Sequence, residues 1–296
     1  MSAKKSKIVL MTDSVSDIGR QAADELGIRL LCMPITVDGN ALREELDFTK
    51  EQFYGMMDTA KEFPSTAQLT PFEIQEKYEE IAAEGCTDLI FTTIGSGGSG
   101  TFANAAMARE AFYDAHPDKS DRMCIHLVDG RNYTATYGYA VTEAAKKLRR
   151  GANVAELVDY LDDWAKHAGL YFVPYTLKYV KRSGRVSAAA AFAGELLGLK
   201  PFCRIVNCKS SVLQKIRGEQ NVIPKLVETA KAEMQPHTPY LIMQGSHPEY
   251  AQALGAALTK ALGYPPEGYW SIGAAICCNA GANVVGFVIR RPEETA

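Results

Sequence analysis

IFTTIGSGGSGTF, residues 90–102, decides the architecture, because an apolar, β-branched run turns through Gly95, Gly97, Gly98 and Gly100 straight into a helix-forming segment. Strand, glycine turn and helix in that order form the repeating unit of parallel α/β sheets. The alternation continues in both directions. Upstream lie a strand at 8–11, a helix at 16–26, a strand at 29–37 and helices at 49–60 and 71–84. Downstream of the strand at 89–94 come a helix at 101–115, a strand at 124–128 and a helix at 136–149. The fold class is therefore α/β, with a mostly parallel N-terminal sheet covered by helices on both faces. Ligands of such sheets sit beyond the carboxyl ends of the strands.

The pattern changes after a helix at 154–167. Strands at 171–173, 200–206 and 212–216, a helix at 222–234, a strand at 240–244, a helix at 249–262 and strands near 271–278 and 283–289 complete the chain. Strands that follow one another without a helix between them predict an α+β second domain. The expected division is 1–165 and 166–296.

Bulk properties narrow the function. The chain has 296 residues, 47% of them hydrophobic and 23% charged, with a net charge of -3 spread along its length. No basic field is present to neutralise a run of phosphates, so nucleic acid is not an expected partner. No apolar run approaches the roughly 18 residues of a membrane span, and the apolar stretch before Asp13 is too short for a signal peptide, so stable membrane insertion is not expected and a cytoplasmic location is. The seven cysteines are scattered. None forms a C-x-x-C pair or stands beside a histidine at metal-ligand spacing, so they read as reduced thiols with no metal.

Gly95, Gly97 and Gly100 spell G-x-G-x-x-G, and the next strand ends at Asp129, the place of a ribose-binding acid. That pairing would make a nucleotide-dependent enzyme. Asp129, however, stands 29 residues beyond Gly100 rather than about 20, and the loop does not follow the first strand. Ser96, Ser99 and Thr101 also supply more hydroxyls than a pyrophosphate turn requires. Backbone N–H groups at a helix start, close approach at glycine and hydroxyl donors suit any small anion, a carboxylate included. No G-x-S-x-G elbow surrounds Ser96 or Ser99, which removes a serine hydrolase.

Other residues carry open alternatives. Asp13 and Asp17, after the first strand, read either as a magnesium or phosphorylation site or as caps of the next helix. Among the histidines, His247 is best placed for chemistry, after a strand and before a helix. Thr70 ahead of Pro71 predicts a helix N-cap. Lys181 to Arg185 hold an anion or lie solvated. The alanine-rich stretch 187–198 is either a tightly packed helix or the wall of a narrow apolar space.

In order, these segments resemble the DegV family. Thr12-Asp13-Ser14-Val15-Ser16-Asp17 is similar to its TDS-x-x-D motif, Thr66-Ala67-Gln68-Leu69-Thr70-Pro71 to its TSQPSP, and Gly95-Ser96-Gly97-Gly98-Ser99-Gly100-Thr101-Phe102 to its SS-x-LSGTY. Ser183-Gly184-Arg185-Val186-Ser187 stands for GGRIS, followed by a small-residue helix and Lys200-Pro201. The resemblance implies two domains enclosing a long-chain fatty acid, the bound ligand in place of any cofactor, with no catalytic residue. It implies a carboxylate held by Thr66 and Ser96, with Gly97 and Ser99 beside them. It also implies a fatty acid kinase subunit as partner, which phosphorylates the presented carboxylate, with Arg185 and Arg217 near the transfer surface. Asn279 stands where the family often has a histidine, and an asparagine cannot add positive charge. A carrier of another amphipathic carboxylate is the alternative that this change favours.

Overall fold

A computed structural model describes residues 7–118, 122–186 and 198–293. The alanine-rich expectation for 187–198 lies, but for Gly198, outside the described residues. The N-terminal part runs β1 (Ile8–Asp13), α1 (Arg20–Leu26), β2 (Ile28–Leu31), β3 (Pro34–Val37), β4 (Asn40–Arg43), α2 (Lys50–Thr59), β5 (Ser65–Thr66) and α3 (Pro71–Ala83). It continues through β6 (Asp88–Thr93), α4 (Thr101–Ala115), β7 (Cys124–Asp129), α5 (Ala135–Arg149) and α6 (Val154–His167). Four of these strands form a parallel sheet in the order β2-β1-β6-β7, so β1 and β6 occupy its centre. Their runs read IVLMTD and DLIFTT, almost wholly buried, as a sheet covered on both faces requires.

The remainder runs β8 (Ala168–Pro174), α7 (Lys178–Ser183), β9 (Leu199–Val206), β10 (Lys209–Arg217), α8 (Val222–Glu233), β11 (Tyr240–Gln244), α9 (Pro248–Leu262), β12 (Gly268–Ser271), α10 (Ala274–Ala280) and β13 (Val284–Arg290). Its strands make one mixed sheet, β10-β9-β8-β13-β11-β12, in which only β11 and β12 pair in parallel. Period-two alternation divides its side chains between two cores. Tyr171, Val173, Phe202, Ile242, Val285 and Phe287 pack outward against α8 and α9. Leu170, Phe172, Ile205, Met243 and Val284 turn inward to the core shared with the parallel sheet.

Three expectations change. The strand at 29–37 divides into β2 and β3, and β3 belongs to a separate small sheet, β4-β3-β5. Asp38 and Gly39, with φ of 46° and 81°, make the two-residue turn of its hairpin. The helix at 16–26 begins only at Arg20, because Ser14–Ser16 is a 3-10 turn closed by Asp17 in the left-handed region at φ 57°. Residues 271–278 are not one strand: β12 ends at Ser271 and 274–280 are helical. A short apolar run such as AAICC does not separate helix from strand by periodicity. Thr70 does cap α3, in a reciprocal box with Glu73 and with Pro71 in the first turn. Among the described residues no helix is long and apolar enough to cross a membrane.

Candidate binding site at the ends of the parallel strands

The loops after β1, β2, β6 and β7 all face the inner side of the mixed sheet, and a cavity of about 390 Å³ lies between them. Its apolar floor is Leu170, Phe172, Ile205, Met243 and Val284, and α10 adds Ala275, Ile276 and Ala280. Val15, Met33, Ile94, Tyr133 and Thr134 come from the loops above. Thr66, Gln68, Ser99, Arg185 and Asn279 supply most of the remaining polar groups. A second, more polar hollow of about 530 Å³ shares Gly98, Ser99, Gly100, Tyr133 and Arg185 with the cavity, which marks where the cavity opens.

The glycines are explained by neighbours rather than by phosphate. A Cβ on Gly95 would overlap Cys208 Sγ and the backbone of Arg131 and Asn132. One on Gly97 would press on Cys208, one on Gly98 on the Tyr133 ring, and one on Gly100 on the Gln68 amide. Cys208 occupies the β9–β10 turn, so the glycine loop is the seat for a hairpin of the other sheet. Burial pushes its thiol up to about 11, which keeps it neutral.

Most of the loop's amides are already engaged. Gly95 N donates to Asn132 O at 2.9 Å, Gly98 N to Gly95 O at 2.9 Å, Ser99 N to Gly95 O at 3.2 Å and Thr101 N to Ser99 Oγ at 3.2 Å. Asp129 accepts from Ser96 N at 3.0 Å, from Ser96 Oγ at 2.5 Å and from Arg131 N at 2.8 Å. The two halves of the dinucleotide signature thus bind each other.

The expected ligand residues separate accordingly. Thr66, Ser99 and Asn279 line the cavity together with Arg185. Ser96 and Gly97 do not: Ser96 points its hydroxyl at Asp129, and Gly97 opens on the outer hollow. Arg217 ends β10 and lines neither space, so Arg185 and Arg217 do not share this mouth. Asn279 Nδ2 donates to Ala275 O at 2.8 Å, one turn back on its own helix. Gln68, inside the same loop as Thr66, and Tyr133 were not singled out by residue type, although both stand at the mouth. His247 is exposed against Glu249 at 2.9 Å and lies outside the cavity wall.

Asp13 and Asp17 are structural here. Asp13 Oδ1 accepts from Val15 N at 3.1 Å and Tyr137 OH at 2.6 Å, and Oδ2 from Ile94 N at 2.7 Å. Asp17 Oδ1 accepts from Gly273 N at 2.8 Å, and its other oxygen from the Thr134 hydroxyl. Every oxygen of both thus holds a neighbouring loop or side chain. Glu44, which no motif marks, accepts from Ser14 Oγ at 2.6 Å and from Ala275 N at 3.0 Å. Burial pushes Asp13 and Asp17 up to about 6. Burial and the neighbouring Asp17 push Glu44 up to about 8.

The sequence profile of the DegV family, described as uncharacterised, matches residues 7–291. The chain belongs to the DegV family. Among DegV domain-containing relatives, one of Caldanaerobacter subterraneus is 29% identical over 225 residues, covering 76% of this chain and 77% of its own length. One of Staphylococcus aureus is 28% identical over 268 residues, covering 89% and 88%. Solved structures share the fold. The fatty-acid-binding DegV family protein of Thermus thermophilus superposes with a TM-score of 0.81 at 24% identity, over 97% of this chain and 100% of that one. The stearic-acid-binding protein of Eubacterium ventriosum gives 0.84 at 19% identity, over 95% and 97%.

Proposed function

We propose that this chain is a lipid-binding protein without catalysis of its own, which takes a long-chain fatty acid with the acyl chain in the cavity and the carboxylate at its mouth. The observation that carries the reading is the asymmetry of the cavity: an apolar floor from one sheet, and an opening lined by Ser99 and Arg185. Its 390 Å³ falls within the range of ligand pockets, roughly 300–1,000 Å³. Each buried methylene contributes about 0.8 kcal/mol, so ten supply about 8 kcal/mol before the entropy of binding is subtracted. Thr66 and Ser99 are the hydroxyl donors to the carboxylate, and Arg185 adds the charge. Fatty acid binding in the Thermus and Eubacterium proteins supports the same ligand class.

A carboxylate held at an opening is accessible to a second protein. In this reading a kinase subunit phosphorylates it, with Arg185 on the facing surface, and the acyl phosphate leaves by the same mouth. Residues 1–165 then carry most of the head-group loops and 166–296 the acyl floor. Seven free thiols fit a reducing cytoplasm. Native mass spectrometry of freshly purified protein tests the ligand: a retained long-chain fatty acid is expected, whereas a nucleotide as the retained mass overturns the reading. Addition of a fatty acid kinase catalytic subunit and ATP should then give acyl phosphate only when this chain is present.

A further inference from the structure

At the amino end of the parallel sheet, the end of β6 and β7 away from the cavity, three side chains of different chemistry converge. Asp88 and Cys124 open the two strands and stand opposite each other in register. His126 lies two residues beyond Cys124, which on a strand returns it to the same face. One ligand atom from each residue lies within 4.8 Å of the other two. His126 Nε2 is 3.1 Å from Asp88 Oδ1. A tetrahedral zinc ion with bonds of about 2.0 Å to nitrogen and oxygen sets such atoms about 3.3 Å apart, so the pair already has the spacing of two ligands on one ion. Thr87 Oγ1 donates to Asp88 Oδ2 at 2.8 Å, an outer contact that holds the carboxylate in orientation. Cys124 is exposed, so solvent reaches the site and can supply a fourth ligand.

We propose that Asp88, Cys124 and His126 form a surface site for a divalent ion of borderline softness, Zn²⁺ first among them. The donor set makes the choice. Oxygen alone would favour Mg²⁺ or Ca²⁺, whereas thiolate and imidazole together select zinc and its neighbours. The ion would tie β6 to β7 where both strands begin. Linear spacing hides the site, because Cys124-x-His126 is a pair on one face only in a strand, and Asp88 arrives from the neighbouring strand. This replaces the expectation from sequence spacing that the cysteines have no metal partner. The plainer arrangement, an Asp88–His126 hydrogen bond with a bystander thiol, gives Cys124 no role, and that is where the two part.

The test uses the full chain stripped of metal. Zn²⁺ is titrated in competition with a chromophoric chelator, and Co²⁺ is added separately while the visible ligand-field bands and the near-ultraviolet thiolate charge-transfer band are followed. One saturable equivalent of Zn²⁺ per chain is expected, with a thiolate band in the cobalt form. Cys124→Ser should abolish that band, and Cys124→Ser and His126→Gln should each weaken Zn²⁺ at least roughly tenfold. Both substitutions sit at a partly exposed strand start, and circular dichroism verifies that each variant is folded. Absence of a saturable equivalent, a cobalt complex without the thiolate band, or binding that survives both substitutions would overturn the proposal.

Discussion

Ser99 meets the cavity because the turn 95–99 closes on itself: Gly98 N and Ser99 N both reach back to Gly95 O, which carries Ser99 over the opening. Ser96, at the outer edge of that turn, is fixed to Asp129 instead. The substitution series follows from this difference. In titrations with a fluorescent fatty acid, Ser99→Ala and Thr66→Ala should each weaken binding roughly tenfold, the worth of a hydrogen bond to a charged group, about 1.5 kcal/mol. Ser96→Ala should leave affinity within about twofold, since it removes a contact to Asp129 and none to the ligand. Equal losses at Ser96 and Ser99 would place the carboxylate outside the cavity mouth. Gly95→Ala makes a different prediction. Its methyl would meet the backbone of Arg131 and Asn132 as well as Cys208, and backbone cannot swing aside. A loss of about 1–3 kcal/mol in urea unfolding is expected, the usual cost of overpacking.

At the scale of elements, α10 is held in place by acids that water does not reach. Asp17 and Glu44 accept from Gly273 N and Ala275 N, while Lys50 Nζ and Tyr54 OH donate to Ser271 O and Ile272 O at 3.0 and 2.7 Å. The α10 wall of the cavity thus depends on carboxyls whose folded-state pKa values are raised. For a raised pKa, the stabilisation is complete below the unfolded value and is lost as the pH rises through the folded one. Stability should therefore fall as the pH rises from about 4, where the unfolded carboxyls ionise, to about 8, with Asp13 and Asp17 ionising near 6 and Glu44 near 8 in the folded chain. Glu44→Gln imitates the protonated side chain and should flatten the upper part of that fall; urea midpoints across the pH range measure it, and an unchanged slope would exclude Glu44 as its source. The sequence foretold elements of this kind unevenly. A helix with a reciprocal cap, α3 from Thr70, is legible because the cap is local. α10 is not, since its apolar run fits either period, and β3 to β5 are short enough for tertiary pairing to decide them. The family motifs named Thr66, Ser96 and Ser99, of which Thr66 and Ser99 line the cavity while Ser96 turns to Asp129. Glu44 has no such signal, because its partners, Ser14 and Ala275, stand 30 and 231 residues away.

For the whole molecule, the cavity exists because two sheets of different construction meet at the open ends of one. The parallel sheet brings its loops to one edge, and the mixed sheet presents Leu170, Phe172, Ile205, Met243 and Val284 from its inner face. Asn132 Nδ2 donates to Ile205 O at 3.0 Å across that junction, so the loop after β7 is set directly on β9. A ligand inserted there measures the distance between mouth and floor. Val284 on β13 lies on the cavity wall, with its strand neighbour Val285 turned to the other core. Val284→Phe places extra carbon in the cavity without changing the outer core or any head-group contact. The longest fatty acids must then leave methylenes unburied, at about 0.8 kcal/mol each, or roughly fourfold in affinity. Loss of two to three buried methylenes predicts a drop of roughly 15- to 60-fold for the longest chains and little change for shorter ones. Competition of saturated fatty acids of increasing length against one fluorescent probe reads this as a shift of the optimum. A uniform loss at all lengths would mean that Val284 supports the fold and not the acyl chain, and a shift confined to long chains would fix the direction in which the acyl chain runs, from Ser99 toward β13.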